Sequence, residues 1–94
     1  MKVVVTPLAS DHLLAAHDYL QAFSPAAAKS QLTKIFDAID RLQQFPYLGR
    51  TGRIAGTREL VVPRTPFIVA YAVTGQEVQI LAVLHGAQQW PESF

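Results

Sequence analysis

PFIVAYAVTGQEVQILAVLH, residues 66–85, is the stretch on which the fold turns. Two apolar runs, Phe67 to Val73 and Glu77 to Leu84, flank Thr74-Gly75-Gln76, the pattern of a β-hairpin. With a tight turn, side-chain alternation puts Phe67, Val69, Tyr71 and Val73 on one face with Val78, Ile80, Ala82 and Leu84. That bulky face is predicted to pack on helices, with Tyr71 in the core. The opposite face carries Ile68, Ala70, Ala72, Gln79, Leu81, Val83 and His85. It is lighter but still apolar, and no further element is assigned to cover it. Such a face marks a protein contact.

Working outward from the hairpin, Arg58 to Val62 reads as a third strand, separated from Phe67 by a turn between Pro63 and Pro66. KVVV at residues 2–5 reads as a fourth. Two helices lie between them. Thr6-Pro7 is an N-cap followed by proline at the first helical position, and Ser24-Pro25 repeats the signal. In the first helix Ala9, Leu13, Ala16 and Leu20 recur at helical spacing. In the second, Ala28, Leu32, Ile35, Phe36, Ile39 and Leu42 form one stripe opposite Lys29, Lys34, Asp37, Asp40 and Gln44, and the helix is predicted to stop near Phe45, before Pro46. Glycines at 49, 52 and 56 then predict a mobile, irregular loop up to Thr57. The order is β-α-α-β-β-β: an α+β fold with a two-helix hairpin on one face of a mostly antiparallel four-stranded sheet. Residues 1–94 are read as one domain.

Composition removes several function classes. With no cysteine among 94 residues, disulfides and thiolate metal sites are excluded, and three scattered histidines, His12, His17 and His85, supply no metal-ligand pattern. No metal and no cofactor is expected. No apolar run reaches the roughly 20 residues that cross a bilayer, and the first residues lack a signal-peptide core, so the expected location is cytoplasmic, away from membranes.

Charge is the more informative property. The net charge of +1 conceals a separation: from Arg41 to Gln76 there are five arginines against one acid, Glu59, a net of +4, and the remainder carries −3. Arg50, Arg53, Arg58 and Arg64 thread the glycine-rich stretch and are the candidate phosphate- or target-binding residues, because guanidinium groups bind anions in bidentate geometry. No GxxxxGK[ST] loop, serine triad or paired-carboxylate pattern accompanies them. His85, ending the last strand on the open face, is the one histidine placed to act as a general acid or base. Trp90, in the tail Gln88-Gln89-Trp90-Pro91, either stacks on a target or covers an end of the core. A small nucleic-acid-binding module would also fit the basic segment and would bind with steep salt dependence.

The element order, the helix ending LQQFPYLGRTGRIAGTREL, the hairpin and the ending HGAQQWP together resemble the RelE/ParE superfamily of toxins from type II toxin–antitoxin systems. The likeness covers nearly the whole chain. It implies a growth-arresting toxin in a hetero-oligomer with a cognate antitoxin, whose disordered segment folds across it; Ile68, Ala70, Leu81 and Val83 on the open face are the expected contact. It also implies one of two mechanisms. RelE-like members cut messenger RNA on the ribosome, and ParE-like members trap DNA gyrase on cleaved DNA. RelE-like members carry an arginine in a Y-R-L-V-Y strand motif where this chain has Phe67-Ile68-Val69-Ala70-Tyr71, and their basic pair after the last strand appears here as Gly86-Ala87. Loss of one donor to a charged transition state costs on the order of 100- to 1000-fold in rate. The expectation is therefore gyrase poisoning without catalysis, with a ribosome-dependent endoribonuclease using His85 as the alternative.

Overall fold

The computed structural model describes residues 1–94, and its two helices begin where the capping signals place them. Helix α1 (Pro7–Phe23) is capped by Thr6, whose hydroxyl accepts the Ala9 N–H at 3.3 Å. Ser24 then serves both helices. Its N–H donates to the Leu20 carbonyl, and its hydroxyl accepts the Ala27 N–H at 3.2 Å to open α2 (Pro25–Arg41). The helix hairpin thus turns on one residue. Of the predicted stripe Ala28, Ile35, Ile39 and Leu42 are buried, joined by Ala38, whereas Phe36 stays half exposed. The regular helix ends at Arg41, short of the expected Phe45, and turns carry the chain on to Phe45, whose N–H donates to the Arg41 carbonyl.

The strands are β1 (Lys2–Val5), β2 (Arg50–Thr51), β3 (Arg58–Val61), β4 (Phe67–Thr74) and β5 (Glu77–His85), in the spatial order β1-β5-β4-β3-β2. Only β1 runs parallel to its neighbour; the other pairs are antiparallel. The class is the α+β arrangement expected, with five strands in place of four. The extra one is the two-residue β2, which lies inside the segment predicted to be an irregular, mobile loop and pairs with Arg58 and Glu59. Gly75 (φ 51°) supplies the left-handed turn residue between β4 and β5.

Register departs from simple alternation at one point. Tyr71 pairs with Ile80 but Ala70 pairs with Ala82, so Leu81 is an extra residue, a β-bulge. Before it, Val78 and Ile80 join the helix-packed core with Val69 and Tyr71, as expected. Beyond it the faces exchange. Val83, placed by alternation on the outer face, is buried in the helix-packed core, while Ala82 and Leu84, expected there, form a separate outer cluster with Ala70. His85 likewise pairs with Phe67 and packs edge-on against its ring at 5.9 Å, on the helix side and not on the open face.

The start of α1 bonds to the β5 backbone on both sides of the bulge. Thr6 donates its N–H to the Ile80 carbonyl at 3.1 Å and its hydroxyl to the same oxygen at 2.8 Å. The Val83 N–H donates to His12 Nδ1 at 3.2 Å. Burial lowers the His12 pKa, partly opposed by Asp11, and so favours the neutral imidazole that can accept this bond. No helix is long and apolar enough to cross a membrane.

Thr6 therefore joins helix start, β1 end and bulge through one side chain. Thr6→Val keeps the shape and removes the hydroxyl; it is expected to lower unfolding free energy by about 1–2 kcal/mol in urea titrations. A loss within a few tenths of wild type would mean that water replaces both bonds.

Candidate functional site

Alternation along β3 puts Arg58 and Leu60 toward the helices and Glu59 and Val61 on the outer face. Glu59 is nearly fully buried, at 3% exposure. A carboxylate there must be matched by donors. Arg50 Nη2 donates to Oε1 at 3.0 Å, Arg53 Nε to Oε2 at 3.0 Å, and the Arg53 backbone N–H to Oε2 at 2.8 Å. Burial alone would raise the Glu59 pKa; hydrogen bonds from the Arg53 side chain and backbone and from Arg50 more than offset it, and the carboxyl sits below its ordinary value.

Arg53 continues the arrangement outward. Its guanidinium lies 3.7 Å from the centroid of the Trp90 ring, and Trp90 packs on Ala70, Ala82 and Leu84. The C-terminal tail thus covers the sheet face that alternation left open. Ala70 is fully buried, Ile68 nearly so, and Leu81 is half buried beside Ala72, Gln79 and the terminal Phe94. Of the quartet Ile68, Ala70, Leu81 and Val83, expected together on an open face, Val83 instead faces the helices, and the tail lies over the face of the others.

The remaining arginines go elsewhere. Arg58 Nη1 donates to the Gly49 carbonyl at 2.8 Å, and its guanidinium lies 5.0 Å from the Tyr47 ring centroid. The Gly49 N–H in turn donates to the buried Tyr71 hydroxyl at 2.8 Å. A Cβ on Gly49 would come within 2.8 Å of Tyr71 and 2.7 Å of the Glu59 carbonyl, so only glycine fits. Arg64 lies in the β3–β4 turn, beside α2 and apart from the others. His85 Nδ1 accepts the Ala87 N–H at 3.1 Å, and the His85 N–H donates to Gln88 Oε1 at 2.8 Å.

Of the residues singled out from sequence, Arg50, Arg53 and Trp90 are therefore brought together, with Arg58 on the neighbouring Gly49. Arg64 and His85 have separate surroundings. Glu59 was missed as an organiser, although its position as the lone acid in a basic stretch, on a strand, was the available signal.

Four similarities bear on this architecture. A family model described as "ParE toxin of type II toxin-antitoxin system, parDE" matches residues 3–90. The candidate toxin Y4kP of Sinorhizobium fredii (strain NBRC 101917 / NGR234) is 42% identical over 74 residues, 79% of this chain and 76% of that protein. Toxin RelE2 of Caulobacter vibrioides (strain ATCC 19089 / CIP 103742 / CB 15) is 37% identical over 87 residues, 93% of this chain and 97% of its own length. Among solved structures, a chain of the chromosomal ParDE toxin–antitoxin system from P. aeruginosa superposes with a TM-score of 0.81 at 31% identity, covering 90% of this chain and 95% of that one.

The Glu59 cluster predicts an acid sensitivity. A carboxyl whose pKa is lower in the folded than in the unfolded chain contributes stability that is complete above the ordinary carboxylate value and is lost as pH falls through the depressed one. Glu59→Gln should lower stability at pH 7 by roughly 1–3 kcal/mol, less than for a fully buried pair because both guanidiniums are half exposed. The gap from wild type should narrow below about pH 4. A gap of equal size at both pH values, in paired denaturant titrations, would remove the charge from the explanation.

Proposed function

The chain belongs to the ParE toxin family, and from that premise we propose that it arrests growth by binding DNA gyrase on cleaved DNA, not by cutting messenger RNA. As a toxin of a type II toxin–antitoxin system, its partner is an antitoxin. The observation that carries the gyrase reading is that His85 and the arginines Arg50, Arg53 and Arg58 are each engaged by different partners. Phosphodiester cleavage needs a base and cationic donors around one phosphate. His85 rests on Phe67 with Nδ1 engaged by Ala87, while Arg50 and Arg53 are held by Glu59 and Arg58 by Gly49. Ile68, where RelE-like relatives carry an arginine, supports the same reading.

For binding, the Arg53–Trp90 stack is well suited. Its guanidinium is 45% exposed over a half-buried indole, and Arg and Trp are the residue types that dominate interface energies. On the opposite side of the sheet the helix hairpin exposes Leu14 (63%) and Phe36 (50%) along a groove completed by Val5, Leu13 and Leu32. This groove, and not the tail-covered sheet face, is the surface offered to the antitoxin, since an amphipathic segment can bury it.

The target is tested by inducing the chain in growing bacteria and following labelled thymidine and labelled methionine in one culture. DNA synthesis is expected to fail first. Arg53→Ala and Trp90→Ala, at matched levels of folded protein, should relieve arrest while His85→Gln leaves it intact. Protein synthesis failing first, together with loss of arrest in His85→Gln, would replace the gyrase reading with ribosome-dependent RNA cleavage.

Leu14→Lys and Phe36→Lys should retain toxicity yet resist neutralisation when the cognate antitoxin is co-expressed. Full rescue of both variants by the antitoxin would move its contact off this groove.

A further inference from the structure

The basic segment of the sequence does not present its charge where its arginines cluster. Of its five arginines, Arg50 and Arg53 are paired with Glu59 and Arg58 is bonded to Gly49. The two left are Arg41 and Arg64, and both line one small cleft, with Lys34, Asp37, Ala38 and Pro63. The cleft encloses about 150 Å³ between the last turns of α2 and the β3–β4 turn. Three cations against one carboxylate leave it a net +2. The chain's ion pairs engage only His17 with Asp18 and Glu59 with its two arginines, so none forms within this cleft.

Two features set this cluster apart from ordinary surface cations. A cation in the last turn of a helix complements the helix dipole, which accounts for Arg41 but not for Lys34 or for Arg64 on another element. Arg64 is also the one non-glycine residue with positive φ, at 62°. A side-chain-bearing residue held in that region points to a role for the side chain beyond the turn, which glycine would make more readily.

We propose that Lys34, Arg41 and Arg64 form a phosphate site that contacts the backbone of a nucleic acid duplex, separate from the Arg53–Trp90 surface. Two guanidinium forks and an ammonium offer more donors than one carboxylate can accept, and the unesterified oxygens of a phosphodiester suit them better. This proposal does not rest on the gyrase reading, because it concerns direct contact between the chain and a phosphate.

The test uses the purified chain and a short labelled DNA duplex, read by fluorescence anisotropy across a salt series. Arg64→Gly removes the side chain while suiting the backbone, so it leaves the fold intact, as a denaturant titration will verify. Binding is expected to weaken about tenfold in Arg64→Gly and in Lys34→Gln, and the slope of log K against log salt to fall by about one in each. Lys29→Gln, which removes an exposed charge elsewhere on α2, should change little. Equal weakening by Lys29→Gln would reduce the effect to overall charge and overturn the site. Tighter binding of polyglutamate than of duplex, lost in Arg64→Gly, would make it a site for acidic protein instead. Absence of any duplex binding would also overturn it, without touching the gyrase reading, whose outcome is read in cells.

Discussion

The extra residue at Leu81 in β5 governs which side of the sheet each later side chain occupies. Because of it, Val83 completes the core under the helices, Ala82 and Leu84 turn outward to seat Trp90, and His85 comes to rest on Phe67. Thr6 and His12 bond to β5 backbone groups on either side of the bulge. An unpaired buried carbonyl or N–H costs about 1–3 kcal/mol, so the bulge and the start of α1 stabilise each other. The placement of the tail, and with it the whole outer surface, follows from that local agreement.

Electrostatics on the outer face has the same interdependent character. Glu59 is buried with Arg50 and Arg53 bonded to its carboxylate, and Arg53 in turn lies against Trp90. A buried charge with its partners in place is stabilising only relative to the same charge without them. The arrangement therefore favours one conformation of the 50–59 segment more than it adds net stability. It also changes the charge map: Glu59 engages two of the five arginines and cancels one of their two charges, while Arg41 and Arg64 at the far end of α2 keep theirs.

Much of the fold was readable in the sequence because its signals are local. Thr6-Pro7 and Ser24-Pro25 start helices through bonds spanning three residues, and Gly75 turns a hairpin within two. The bulge was not readable, since VQILAVLH is apolar on both faces and no polar residue marks the point where alternation slips. The arginines were recognised as a group, but their division was not. Arg53 meets Glu59 six positions away and Trp90 still farther along the chain, whereas Arg64 turns toward a helix, and spacing along a chain says nothing of such pairings. The two-residue β2 was missed because glycines on either side break any pattern a strand that short could show.

The position of β5 has a consequence for the birth of the molecule. It lies between β1 and β4 in space but follows both in the chain, and its parallel partner β1 precedes it by some 75 positions. Until β5 has been synthesised, β1 and β4 have no common neighbour, and the apolar stripes of α1 and α2 lack much of the sheet that would bury them. A nascent chain can form its helix hairpin early, through local contacts, yet it assembles the sheet only at the close of synthesis. Interrupted translation then yields fragments that lack β5, the strand joining β1 to the rest of the sheet.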